Sequence, residues 1–233
     1  MDVREYITIR RAYNLVRQNS ALSVRLTFEE AAVLALLDSS DKPLPTSAIA
    51  TWQHALRPTM THRANHLASL GLIDRAPGVD DRRNVVCTIT DEGRAMLDDL
   101  CSGIRQVLVR GKALTRIDEG RIKRYLLAMG QRYVQASDLV LLGLAVNDGD
   151  GVPIALLVGA LGLLQPTVSM SVQALEERGL VKRDVPGSKA VKAILTKQGR
   201  IEVEDLIVSI EKMIVRRRPR GYARHEVESS GAE

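Results

Sequence analysis

The sequence predicts a mainly α-helical fold with small β-hairpins, in which one helix–turn–helix-plus-hairpin unit occurs twice. The first observation is an internal repeat: residues 57–75 read RPTMTHRANHLASLGLIDR, and 108 residues later residues 165–183 read QPTVSMSVQALEERGLVKR. The second is composition, since 45% of the 233 residues are hydrophobic but only 3% are aromatic, so aliphatic side chains that suit helices must fill the core. Two units of roughly 110 residues are therefore favoured over one large domain.

Helix signals cover most of the first unit. Residues 3–18 have a helical pattern, and Thr27 begins a second helix through a capping box with Glu30. A short helix follows Pro45. Pro58 fits the first turn of the next helix, where its missing N–H is not needed. The inner face of this helix is apolar and consists of Met60, Ala64 and Leu67.

The pattern changes from helix to strand after Gly71, which suits the left-handed end of a helix. Residues 72–75 are short and extended, a turn-rich segment follows, and residues 85–90 alternate with Cys87 on the inner side. Thr90 then caps a long helix that has acidic residues in its first turn. These signals predict two short strands joined by a polar hairpin, directly after a helix–turn–helix.

The second unit follows the same order. Thr115 and Asp118 are expected to open its first helix, and Pro153 lies 108 residues after Pro45. The two units align without a gap as far as Arg183, and the second hairpin is two residues shorter. The chain is therefore expected to consist of three segments, namely a first domain at residues 1–112, a second domain at 113–218 and a polar, disordered tail at 219–233.

Composition and motifs argue against several classes of protein. The net charge of +5 permits nucleic-acid binding without requiring it. Residues 1–11 lack the apolar core of a signal peptide, and the longest apolar run, residues 152–164, is shorter than the roughly 20 residues of a membrane span. No enzyme motif occurs in the sequence. We therefore expect a cytoplasmic protein without enzymatic activity, cofactor or membrane segment.

Three features allow a metal or redox role, but simpler interpretations are favoured. His62 and His66 lie four residues apart without an evident third ligand. The segment NDGDG at residues 147–151 lacks the spaced acidic ligands of a calcium loop, so a turn explains it better. Cys87 and Cys101 form neither a metal-binding spacing nor a disulfide framework. We expect no metal site.

The helix that begins near Pro58 is the main candidate for DNA contact. Its outer side carries donors and acceptors of the kind that contact base edges and phosphates, namely Arg57, Thr59, Thr61, His62, Arg63, Asn65 and His66. The hairpin adds Arg82 and Arg83 at its tip, where a guanidinium can enter a narrow minor groove. An ordinary solvated surface is the alternative for the helix taken alone.

The segment GLIDRAPGVDDRRNVVCTITDEGRAML, residues 71–97, resembles the strand–wing–helix signature of MarR-type winged-helix transcription regulators. That signature runs GL-x-x-R, D-x-R and L-T-x-x-G-R, and the corresponding residues are Gly71-Leu72 with Arg75, Asp81 with Arg83, and Ile89-Thr90 with Gly93-Arg94. The second unit matches at Gly179-Leu180, Arg183, Leu195-Thr196 and Gly199-Arg200, but lacks the D-x-R.

A chain with two such units is similar to the two-domain SarA/MarR-type regulators. The resemblance implies tandem winged helix-turn-helix domains joined by long helices, which stand in for the usual dimer of the family. It also implies sequence-specific binding to double-stranded DNA, with Arg75 among the contacting residues, and modulation by a small-molecule effector or an oxidant.

The second unit is expected to contact DNA more weakly than the first. Its helix offers uncharged polar residues at the outer positions, namely Gln165, Thr167, Ser169, Ser171 and Gln173. Its hairpin strands carry cations that suit phosphates, namely Lys182, Arg183, Lys189 and Lys192. We therefore expect the first unit to dominate base readout, and the DNA site to be non-palindromic.

An alternative from another class is a tandem winged-helix module that binds proteins, as an adapter or a complex-assembly subunit. Such a module would expose apolar side chains where the first unit exposes arginines. DNA binding through one unit and partner binding through the other is a mixed possibility. Because the long helices are expected to pair inside the chain, the sequence predicts a monomer that acts as a pseudo-dimer.

Overall fold

The computed structural model describes residues 1–78, 84–147, 151–184, 191–213 and 215, and shows a mainly helical chain with two small antiparallel sheets. This agrees with the predicted fold class. The first series of elements comprises α1 (Val3–Asn19), a 3-10 turn (Leu22–Val24), α2 (Phe28–Asp38), β1 (Leu44–Pro45), α3 (Thr46–Trp52), α4 (Arg57–Ser69), β2 (Ile73–Pro77), β3 (Val85–Ile89) and α5 (Asp91–Arg110).

A second series of elements follows in the same order. It comprises α6 (Glu119–Gly130), α7 (Ala136–Val146), β4 (Val152–Pro153), α8 (Ile154–Leu161), α9 (Gln165–Glu177), β5 (Val181–Arg183), β6 (Lys192–Leu195) and α10 (Lys197–Glu211). The bounds of α7, β4 and α9 lie 108 residues after those of α2, β1 and α4. The strand order is β1-β3-β2 in one sheet and β4-β6-β5 in the other, so the sequence repeat is also a repeat of topology.

Helix caps account for most of the boundaries. The predicted capping box at Thr27 is present, since its backbone N–H donates to Glu30 Oε2 (2.7 Å) and the Glu30 N–H donates to Thr27 Oγ1 (3.2 Å). Thr90 caps α5 as predicted. The second unit differs at its first helix, because Asp118 rather than Thr115 is the cap: its carboxylate accepts from the Arg121 N–H at 2.6 Å.

Glycines allow two close approaches that no other residue would permit. Gly71 and its counterpart Gly179 have φ of +71° and +72°, as expected for left-handed helix ends. A Cβ at Gly130 would overlap Cβ of Ala32 and lie 3.0 Å from the Trp52 ring. Because of Gly130, α6 can lie directly on α2.

The two series are interleaved through their first helices. α6 packs on α2 and α5 of the first series, and α1 packs on α5 but also on α7, α8 and α10. One continuous core results, in which Tyr6, Tyr13, Tyr125, Ile104 and Ile122 are among the largest fully buried side chains. The expected pairing of the long helices within the chain is therefore observed.

Polar contacts hold this interleaving in place. Lys123 Nζ on α6 lies 2.8 Å from carboxylate oxygens of both Asp38 and Asp98. Arg11 Nε and Asn14 Nδ2 on α1 donate to carbonyl oxygens of α8 at 2.7 and 2.9 Å. Both first helices are thus anchored to the other series.

Among the described residues, no individual helix has the length and hydropathy to cross a membrane. α8 and α9 satisfy those two criteria only when taken together, and they are bent by 117° relative to each other.

Candidate nucleic-acid interface

The outer side of α4 presents polar residues above an apolar inner face. Met60, Ala64 and Leu67 are buried, as predicted. Five of the seven proposed contact residues on this helix are exposed, namely Arg57, Thr59, Thr61, His62 and Asn65. Thr61 Oγ1 donates to the Arg57 carbonyl oxygen at 3.0 Å, which leaves the Arg57 side chain exposed at the start of the helix.

Arg63 and His66 face partly inward, which corrects their predicted position on the outer side. Arg63 Nη1 donates to Oε1 of the buried Gln53 at 2.7 Å. His66 Nδ1 lies 2.7 Å from Oε1 of Glu30, whose carboxylate is buried and needs a polar partner. Both residues thus attach α4 to the layer beneath it, and their outer atoms alone could contact a ligand.

A polar cavity of about 300 Å³ opens between α3, the start of α4 and the sheet. Arg57 and Arg75 line it, together with Thr46, Ser47 and Thr61. Arg75 donates to Asn65 Oδ1, while its Nε is buried and has no hydrogen-bond partner among the described residues. Two guanidinium groups and three hydroxyls around one cavity suit an anionic oxygen such as that of a phosphate.

The tips of both hairpins lie outside the described residues. Arg82, Arg83 and Lys189 are therefore predicted site residues on which the structure does not bear. The described part of the first hairpin ends where the Gly78 N–H donates to the Asn84 carbonyl oxygen at 2.7 Å.

The second unit positions its candidate residues differently. Ser171 is buried, which corrects the prediction that it faces outward. It lies 108 residues after Arg63, at a helix position that faces inward in both units. Thr167 and Ser169 are half-buried, Gln165 is exposed, and the exposed Gln173 donates to Glu177 Oε1 at 3.1 Å.

Cations of the second unit lie on its sheet and not on α9. Lys182 is exposed and Lys192 is half-buried. Arg183 Nε donates to Glu176 Oε2 at 2.6 Å, and this hydrogen bond holds the pKa of the Glu176 carboxyl below its usual value. Arg183 therefore already has an anionic partner, unlike Arg57.

Apolar side chains stand out on the second helix–turn–helix. None of residues 151–175 is charged. Within this stretch Leu156, Leu164 and Met170 are 53%, 55% and 71% exposed. We call the surface that these three residues form on α8, the turn and α9 the uncharged face. The first unit has Ala48, Leu56 and His62 at the matching positions.

The described residues contain no group of three histidine, cysteine or carboxylate side chains arranged to hold a metal ion. Cys87 and Cys101 are both buried, and burial raises the pKa of Cys101 to about 12. The neutral thiol is therefore the form of Cys101 at physiological pH.

Comparison with known proteins gives structural similarity only. No family model matches the sequence, and no curated protein does. Similar solved structures include a probable transcriptional regulator from Pseudomonas aeruginosa, with 24% identity, a TM-score of 0.36, and coverage of 50% of this chain and 86% of that one. BpsR from Bordetella bronchiseptica, described as regulated in its DNA binding by 6-hydroxynicotinic acid, has 21% identity, a TM-score of 0.36, and coverage of 51% and 86%. ScpB from Mycobacterium tuberculosis has 15% identity and a TM-score of 0.24, and the match covers 80% of this chain and 98% of that one.

Proposed function

We propose that the protein is a sequence-specific DNA-binding transcriptional regulator without enzymatic activity. The observation that carries this proposal is the exposed polar side of α4 beside a cavity lined by Arg57 and Arg75. A helix in the major groove reads bases with such side chains, and guanidinium groups at its edge fix the register by contacting phosphates.

Tandem winged-helix units of the MarR type account for the repeat of topology. In this proposal the two domains are residues 1–112 and 113–218, and together they act as the two halves of a dimer. The first unit dominates base readout because Arg57 and His62 are exposed on α4, whereas α9 exposes no cation. The second unit contacts phosphates through Lys182 and Lys192, with Lys189 as a further predicted contact.

Selection of bound sequences from random duplex DNA tests this function directly. On the selected site, Arg57→Gln should weaken binding by about 1–3 kcal/mol and reduce the salt dependence by roughly one counterion. Arg105→Gln, an exposed arginine on α5, is the matched control and should change neither. Enrichment of no sequence, or equal losses in the two variants, would reject the assignment.

We also propose a place for the expected small-molecule effector. A cavity of about 630 Å³ lies where α3, α6 and α10 end, and Gln53, Tyr133 and Lys212 line it. Gln53 accepts the hydrogen bond from Arg63 on α4, so a ligand there could alter the DNA-contacting helix. Trp52, the only tryptophan, precedes Gln53, and its fluorescence should change on titration with an effector that releases the protein from DNA.

Protein binding through the second unit is the second candidate function. The uncharged face favours it, because apolar side chains exposed together mark protein contacts more often than DNA contacts. DNA binding through the first unit and protein binding through the second are compatible.

A further inference from the structure

The uncharged face lacks the chemistry that its position in the fold would require for DNA. On the first unit the corresponding surface includes Arg57 and His62, whereas Gln165 and Met170 replace them on the second. DNA presents a dense line of phosphates, and a surface without cations gains nothing from releasing their counterions. The face therefore has to be solvated or covered by something that carries no charge.

Solvation is a poor account of this surface. Single exposed apolar residues are common, but here three large ones occur on one helix–turn–helix. The surrounding stretch, residues 151–175, has no charged side chain in a chain in which 26% of residues are charged. Charged residues resume at Glu176, where α9 ends. The absence of charge thus coincides with the two exposed helices.

We propose that the uncharged face is the contact surface for a second copy of this chain, paired about a two-fold axis near Met170. In a two-fold contact each side chain meets the same residue or a near neighbour of the other copy, so a charge at the centre would face its like. The chain carries a net charge of +5, which opposes self-association elsewhere on its surface. The uncharged face meets this condition across both of its helices.

Side-chain sizes along α9 fit such a pairing. With the two α9 helices antiparallel and centred on Met170, Pro166 of one copy lies opposite Ala174 of the other, and both residues are exposed. The small Ala174 allows close approach of the helices. Met170 is 71% exposed and unbranched, so it can adapt to fill the space at the axis. Leu156 and Leu164 would extend the contact on either side.

This pairing is separate from the one inside the chain. The expectation of a monomer considered only the long helices, which are indeed used up by the contacts of α1 and α6. The α8–α9 surface lies outside those contacts, so a chain can form its internal pseudo-dimer and still bind a second copy. The proposal does not depend on DNA binding.

Sedimentation equilibrium of the full chain without DNA tests the pairing. From about 2 µM to about 200 µM we expect the mean mass to rise from 25.6 kDa toward twice that value. Met170→Lys and Leu164→Lys should each weaken association at least tenfold. Leu56→Lys and His62→Lys place the same change at the matching positions of the first unit and should leave association unchanged.

A cysteine at the axis gives a second readout. Met170→Cys should form a disulfide-linked dimer under mild oxidation, because both native cysteines are buried, whereas Leu56→Cys should not. A constant mass of 25.6 kDa over the whole range would overturn the proposal. Equal effects of the two sets of lysine variants would overturn it as well. Flotation of a monomeric chain with uncharged phosphatidylcholine vesicles would assign the face to a membrane and overturn the pairing.

Discussion

Burial decides how the two cysteines react. Cys87 is buried beside Thr46, and burial of Cys101 raises its pKa to about 12 despite the nearby charge of Lys123. Only the thiolate is nucleophilic, so we expect neither thiol of the native protein to react with DTNB at pH 8 within minutes. Both should react after unfolding in guanidinium, and Leu56→Cys serves as the exposed positive control. Rapid labelling of a native thiol would contradict the prediction and support redox sensing.

Arg63 and Ser171 show how far site residues could be predicted from sequence. The heptad-like pattern placed Met60, Ala64 and Leu67 inward correctly, but positions at the border of the apolar face are ambiguous by one neighbour. Arg63 turns inward because Gln53, from the preceding helix, accepts its hydrogen bond. No spacing along the chain predicts that partner, since it depends on how α3 meets α4.

The ion pairs of Lys123 connect three helices, and their contribution to stability should depend on pH. Burial alone would raise the pKa of Asp38, but hydrogen bonds and charges from Lys123 and Arg94 outweigh it and lower that pKa. Burial alone would lower the pKa of Lys123, but Asp38 and Asp98 raise it. The stabilisation is therefore fully present between the ordinary pKa of an aspartate and that of a lysine. It is lost as pH falls through the lowered pKa of Asp38 or rises through the raised pKa of Lys123.

Lys123→Met should therefore lower the free energy of unfolding at neutral pH by about 1–2 kcal/mol. Urea unfolding monitored by circular dichroism measures the loss, which should shrink in acid. Arg178→Met breaks the exposed pair with Glu202 and should cost less than about 0.5 kcal/mol. Similar losses in the two variants would show that Lys123 does not anchor α6.

Gly130 should be required for the contact between α6 and α2. Gly130→Ala forces the new Cβ against Ala32 and Trp52, and we expect a loss of about 1–3 kcal/mol in the free energy of unfolding. Gly159→Ala in α8 meets nothing within 4 Å and should be neutral or stabilise by up to about 1 kcal/mol. Thermal unfolding of both variants checks the pair, and a stable Gly130→Ala protein would contradict the packing described.

Element boundaries were predictable where a local signal defines them. Thr27 and Thr90 cap their helices as the sequence indicated, and the repeat carried the bounds of α2 and α4 over to α7 and α9. The start of α6 was misplaced by a few residues, because both Thr115 and Asp118 are competent caps. The main-chain turn at Leu114, with φ of +49°, delays the helix to the second of them. Which helix α6 packs against was not readable from its own sequence.

The whole molecule should bind an asymmetric DNA site. The exposed cation of α4 has no equivalent on α9, so the half-site under the first unit should be strongly specified and the other only weakly. Arg57→Ala combined with Arg63→Ala should abolish specific binding, whereas Gln165→Ala combined with Gln173→Ala should reduce it mildly. Binding measurements on the selected sequence distinguish the two. A perfectly palindromic half-site pair under one chain, or equal losses, would contradict the asymmetry.

The interleaving of the first helices also has a consequence for synthesis on the ribosome. α2 is covered by α6, which is translated some 90 residues later, and α1 awaits α7 and α8 from still further along. Contacts between such distant segments slow folding, because the intervening chain must be closed before they form. A nascent chain that has reached residue 112 therefore holds a complete set of helix–turn–helix and hairpin elements with the apolar side of α2 still bare. We expect nascent chains of this length to bind chaperones, and release from them to coincide with the emergence of α6.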